Sequence, residues 1–238
     1  MAPTPASSRV NLAESRVFDG LSAADRRAWL GAATIREVRA GQVVASQGDP
    51  ADVFALVSQG RLKLLQVTAG GDELIVRFIW PGEPFGGVVA LKGGRYPVTA
   101  IAIGTTELYQ WRADQLKTLL DRYPLVRENL MREMAAHMND AMTRLQELST
   151  ERASQRIAHA LLRLMRQSGE RTPDGIALRH RLTRQDLAQL SGTTLYTVSR
   201  TLSRWQAAGI LRTVRHGLVI RSFDDLEAQA RDTDEPRH

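Results

Sequence analysis

The sequence predicts an α+β protein laid out in three stretches: an antiparallel sandwich or barrel, one long helix, and a winged helix-turn-helix. Three observations predict it. Between Thr34 and Trp111, short β-rich runs alternate with Gly and Pro turns at roughly ten-residue spacing. From Met131 to Leu148, apolar residues recur in steps of 3, 4, 3, 4 and 3. From Leu182 to Trp205, two short amphipathic segments meet at Ser191-Gly192. At 238 residues the chain has room for one large or two moderate domains, each with its own core.

The N-terminus, Met1 to Ser8, is polar and lacks the apolar stretch of a secretory signal. Residues 1–17 are expected to be disordered. A short helix is expected within Phe18 to Ala33, with Ser22 as N-cap to the Leu21–Leu30 run. The β-rich runs are Val43-Val44, Val53–Val57, Leu62–Val67, Leu74–Ile79, Val98–Ile103 and Glu107–Trp111. They complete a first domain over residues 18–123 that can hold a small ligand.

A long helix is expected over residues 124–150. Met131, Met134, Met138, Ala141, Leu145 and Leu148 form an a/d heptad seam along it. A seam this narrow suits pairing with a second copy. The alternative is a core helix packed on its own barrel. Pairing sets two recognition helices one DNA turn apart and so matches a palindromic operator in double-stranded DNA. Thr150 to Ala153 is the expected hinge into the next module, residues 151–222, followed by a tail over 223–238.

In that module Thr183 can cap a first helix bearing Leu187, Ala188 and Leu190. Gly192 supplies the positive φ of a sharp turn. Thr193 or Thr194 can cap a second helix whose core face is Val198, Leu202 and Trp205. Its other face shows Leu195, Tyr196, Ser199, Arg200, Ser203 and Arg204. Ile176–Arg179 reads as a strand and Leu211–Ile220 as a hairpin, which completes the winged form. Two helices packed in an ordinary core are the bland alternative. Charge argues against it. Arg152 to Arg221 holds thirteen Arg, no Lys and three acids, a balance of +10, whereas the whole chain is +6 and the remainder therefore −4. So local an excess is what a phosphate backbone attracts.

The absence of cysteine excludes disulfides, thiolate-held iron–sulfur clusters and thiol switching. No run approaches the ~18 apolar residues of a membrane span, and a cytoplasmic location is expected. The chain contains no His-Glu-x-x-His, Gly-x-Ser-x-Gly or phosphate-loop pattern, and its five His are scattered, so an enzyme is not expected.

Gly41–Pro50 with Gly60, Phe85–Leu91, the heptad helix, and above all Thr183-Arg-Gln-Asp-Leu-Ala188 and Thr197-Val-Ser-Arg200 carry a resemblance to the CRP/FNR superfamily of bacterial transcription regulators. The resemblance covers about residues 18 to 222. It implies a cyclic-nucleotide-binding-like β-roll, a dimerisation helix, and a homodimer whose DNA modules are re-angled by an effector at the roll–helix junction. RNA polymerase would be a further partner. By analogy, Thr183, Arg184, Gln185 and Thr194 meet phosphates, Arg200 reads guanine, Leu195 packs on a thymine methyl, and Arg215 and His216 on the wing touch backbone. Thr197, Ser199 and Arg204 complete that surface. Tyr196 stands where the family commonly carries a glutamate, which implies altered base preference.

The cyclic-AMP branch keeps Gly-Glu, Arg-Ser and Thr-Ser pairs around its ligand. Here these positions fall on Gly86-Gly87, about Pro97-Val98, and Ala141-Met142, so the charged and hydroxyl partners are missing, although Arg95 lies near the second pair. The expected pocket is apolar, edged by Val88, Tyr96, Met134 and Met138 as well. Tyr96–Ala100 and Gly192–Arg200 resemble the nitric-oxide-responsive nitrite and nitric oxide reductase regulators, which implies haem as a cofactor. His137, one step from the seam, is the candidate iron ligand. The alternative for it is a polar residue at the pocket's rim. A constitutive DNA-binding protein with a scaffold roll is the competing function.

Overall fold

The computed structural model describes residues 10–231 apart from positions 69, 72, 179–181 and 215–216 and the side chain of Val88. The wing residues Arg215 and His216, the expected disorder of residues 1–9 and the tail beyond Arg231 lie outside the described residues. The chain divides into two compact units, Met1–Asn139 and Asp140–His238.

In the first unit, 3₁₀ turns at Leu12–Glu14 and Arg16–Phe18 lead into α1 (Ala23–Gly31). Strands β1 (Thr34–Val38), β2 (Val43–Ala45), β3 (Val53–Gln59), β4 (Leu62–Val67), β5 (Glu73–Ile79) and β6 (Pro84–Phe85) follow. Then come α2 (Gly87–Leu91), β7 (Thr99–Ala102), β8 (Thr106–Arg112), α3 (Ala113–Arg122) and the long α4 (Pro124–Thr150). The strands form two four-stranded sheets, β1-β8-β3-β6 and β2-β7-β4-β5, antiparallel at every pairing. Both sheets contribute to one core: Val38, Val57, Phe85 and Leu108 from the first, Leu62, Leu64, Ile79 and Ala100 from the second.

The other side of the first sheet is covered by helices. Trp29 of α1 sits 5.5 Å from Trp111, 5.8 Å from Phe18 and 6.3 Å from Tyr123, ring centre to ring centre. The Trp111 indole N–H donates to the Trp29 carbonyl at 3.1 Å. Phe54 and Leu56 of β3 enter this helical cluster while Val57 enters the roll. Being covered on both faces, β3 reads as a continuous apolar run instead of an alternating one.

Residues 12–17 correct the expectation of disorder. Leu12, Val17 and Phe18 are buried. Asn11 and Ser15 accept backbone N–H bonds and cap the two turns. The Asn129 amide on α4 donates to the carbonyls of Val17 (3.1 Å) and Asp19 (2.9 Å). A polar segment can be ordered by a few apolar anchors when its backbone groups are met this way. Ser22 caps α1 as expected, accepting from the Asp25 N–H.

The second unit takes the distal end of α4, then α5 (Ala153–Ser168), β9 (Gly169–Thr172), β10 (Gly175–Leu178), α6 (Arg184–Ser191), α7 (Leu195–Ala207), β11 (Leu211–Val214), β12 (Gly217–Ile220) and α8 (Phe223–Arg231). The strand order is β11-β12-β10-β9. Buried Ile157, Leu161 and Leu164 of α5 are spaced i, i+4, i+7 toward the core. Helix α8 corrects the expected tail over 223–231. It buries Leu226 and Ala230, and its Gln229 accepts from the Trp205 indole at 2.8 Å. No helix among the described residues is long and apolar enough to cross a membrane.

Candidate functional site

Helices α6 and α7 are built as the local sequence requires. The Thr183 hydroxyl accepts from the Asp186 N–H at 3.0 Å and donates to its carboxylate at 2.7 Å, closing a capping box. Gly192 ends α6 at φ 58°, ψ 46°. A side chain there would be strained, and its Cβ would lie 2.7 Å from a Leu148 methyl. Thr194 caps α7, accepting from the Thr197 N–H at 3.2 Å. Leu187, Ala188, Leu190, Val198, Leu202 and Trp205 are all buried, and small Ala188 lies in the core between the helices.

The outer face of α7 is open. Tyr196 is 73 % exposed and Leu195 48 %; Arg200, Ser203 and Arg204 are exposed and Thr197 and Ser199 half-buried. Arg184 reaches across from α6 and donates to the Ser199 hydroxyl at 3.4 Å, which fixes a guanidinium beside the first turns of α7. Gln185 is exposed on α6. The hydroxyls of Thr183 and Thr194 are spent on capping. What those two positions offer an anion is the free N–H groups and positive end of a helix.

Sequence reasoning missed the residues that hold this turn. Arg156 on α5 donates to three main-chain carbonyls: Glu151 (2.6 Å), Ser191 (2.9 Å) and Gly192 (3.2 Å). Arg163 pairs with the buried Glu147 of α4 at 2.5 Å. His159 lies 3.3 Å from Glu151. Within the segment expected to be a hinge, Thr150 to Ala153, Glu151 thus meets Arg156 and His159 of α5. No residue-type pattern marks carbonyl acceptors, so only the Arg-rich face of α5 hinted at them.

The six seam residues of α4 all lie exposed, Met131 at 65 % and Leu145 at 60 %. The face of α4 that packs on its own unit is a different one, carrying Val126, Asn129 and Leu130. That disposes of the core-helix alternative.

The positions expected to meet an effector fall in both units, with Ala141 and Met142 in the second and the rest in the first. Within the roll, Tyr96 stacks on Phe85 at 5.5 Å and an interplanar angle of 11°. Its hydroxyl donates to the Val53 carbonyl at 3.3 Å, and burial pushes its pKa up. Gly86 has φ 83°, and a Cβ there would lie 2.4 Å from the Val53 carbonyl. A Cβ at Gly87 would lie 2.9 Å from the Phe54 ring, itself packed 5.3 Å from Trp111. A side chain at Gly86 would meet main chain in a left-handed conformation, and one at Gly87 would require the Phe54 ring to shift. Pro97 is exposed, Val98 half-buried, and Met134 and Met138 exposed; the Val88 side chain lies outside the described residues. His137 is half-buried on α4. Among the described residues no group of three His, Cys, Asp or Glu could hold a metal ion.

Residues 35–123 match the cyclic nucleotide-binding domain and residues 155–229 the Crp-like helix-turn-helix domain. The chain is 33 % identical over 187 residues to the cyclic AMP receptor protein of Thermus thermophilus, covering 79 % of this chain and 83 % of that one. It is 29 % identical over 192 residues to the transcriptional activator protein anr of Pseudomonas aeruginosa, covering 81 % and 78 %. The solved structure of FixK2 from Bradyrhizobium japonicum superposes with a TM-score of 0.73 at 25 % identity, over 83 % of this chain and 96 % of that one. With a roll, a long helix and a capped helix-turn-helix in that order, and relatives matched across most of their length, the chain belongs to the CRP/FNR superfamily of transcription regulators.

Proposed function

We propose that this chain is a homodimeric, sequence-specific DNA-binding regulator whose operator affinity is set by a small effector at the roll and α4. The observation that carries it is the outer face of α7, exposed, free of acids, bearing Arg200 and Arg204, and backed by a fully buried inner face. The exposed heptad seam supports pairing through α4. RNA polymerase is a further partner in this reading. Selection of bound duplexes from random DNA tests it. A palindromic site bound by two copies is expected; a monomer by solution mass that retards no duplex at modest salt overturns it.

Cyclic AMP is not the effector in this reading. Its phosphate and ribose would meet Gly86, Gly87, Pro97 and Val98, which supply no charge, and an acidic side chain at Gly87 would have to displace the Phe54 ring. Micromolar binding by calorimetry would refute this. A finer reading assigns the signal to nitric oxide on haem with His137 as iron ligand, a Soret band lost in His137→Ala being the expected mark. His137, half-buried beside the seam, supports it. Anaerobic loading with haem that yields no such band removes it. Operator affinity indifferent to every added effector would favour a constitutive regulator with a scaffold roll.

A further inference from the structure

Resting on the regulator reading, we infer that Leu195 and Tyr196 form a reader of pyrimidine C5-methyl groups, so that binding responds to thymine's methyl and equally to C5-methylation of cytosine. A leucine and a tyrosine stand at the first two positions of α7, 48 % and 73 % exposed, and neither is buried among the described residues. Side chains left open side by side at a helix start are available to a partner. Continuity with the charged surface names the occupant. Tyr196 lies four residues before Arg200 and so on the same helical row. Leu195 lies four before Ser199, which Arg184 holds at 3.4 Å. The pair is thereby flanked by cations suited to a nucleic-acid backbone and to guanine.

The major groove offers one apolar feature, the methyl at pyrimidine C5. It also offers the cytosine N4 donor, which an acid would accept, yet α7 contains no Asp or Glu. An acid at position 196 would select cytosine over thymine by that hydrogen bond, whether or not C5 carries a methyl. Leu195 gains only by burying hydrocarbon, the Tyr196 ring offers a flat apolar face beside its hydroxyl, and a methyl on cytosine supplies the same hydrocarbon as one on thymine. The methyl-bearing pair should lie beside the guanine read by Arg200.

The test begins with the duplex selected above, bound by the full-length chain. Each thymine is replaced in turn by deoxyuridine, which removes only the methyl. About four-fold weaker binding is expected at one or two pairs per half-site. At those pairs, 5-methylcytosine should bind about four-fold tighter than cytosine. Leu195→Ala with Tyr196→Ala should abolish both differences while leaving the circular dichroism and melting point unchanged, since neither side chain is buried. Tyr196→Glu should shift the preference at that pair from thymine toward cytosine, through the N4 donor that both cytosine and 5-methylcytosine carry. Deoxyuridine tolerated at every position, or methyl dependence that survives the double alanine variant, overturns the inference while leaving the regulator reading intact. A chain that selects no duplex overturns both.

Discussion

Arg200 projects from α7 with nothing of the second unit burying it, so its worth is to be sought in the complex. Bidentate reading of guanine predicts that Arg200→Ala costs about 1–3 kcal/mol on the preferred site and relaxes preference at that pair. An equal loss on random DNA, measured by competition binding, would assign it to phosphate instead. Glu83 poses a different residue-scale question. Burial raises its carboxyl above the ordinary glutamate value, although Arg77 sits 2.5 Å away and the Trp80 N–H donates to it. The folded chain therefore holds that proton more tightly than the unfolded one. Its contribution favours the fold at low pH and is lost as pH rises through the raised value. Glu83→Gln keeps the shape without the titration. The stability of the natural chain relative to this variant, from urea melts, should shrink as pH rises across that window; a constant difference would contradict the assignment.

At the scale of elements, the turn between α6 and α7 depends on a guanidinium from a third helix. Arg156→Ala strands the carbonyls of Ser191 and Gly192 at the C-terminus of α6, and an expected loss of about 1–3 kcal/mol in the unfolding of the second unit follows. A melt within error of the natural chain would show those carbonyls to be served by solvent. The same elements show which parts of the fold were legible beforehand. Strand β4 spans Leu62–Val67 as its run predicts, and α4 spans Pro124–Thr150, because long periodic segments declare themselves. Edge strand β1 exposes four of its five residues, so it offers no alternation to detect. β6 is two residues long and exists only because β3 is there to pair with it. Helix α8 hid because a nine-residue helix needs just two apolar anchors, Leu226 and Ala230, once Trp205 supplies a hydrogen bond. The division of α7 into a buried and an exposed face was readable from spacing alone. Its mechanical support was not, since Arg156 acts on main-chain oxygens about thirty-five residues away.

For the whole molecule, charge is partitioned between the two ends of the chain. The +10 balance of residues 152–221 against −4 for the rest means that two paired chains bring two concentrated basic modules to one duplex. With ~6–10 phosphate contacts, operator affinity should fall about 10³–10⁵-fold between 50 and 200 mM salt. A shallow slope would mean that few of these arginines reach the backbone. Leu148 connects the pairing to the reading. It is the last residue of the seam, and its methyl fills the space above Gly192 at the foot of α7. A side chain bulkier than leucine at position 148 would press on the turn that seats α7, so a change at the seam reaches the exposed helix without touching its outer face.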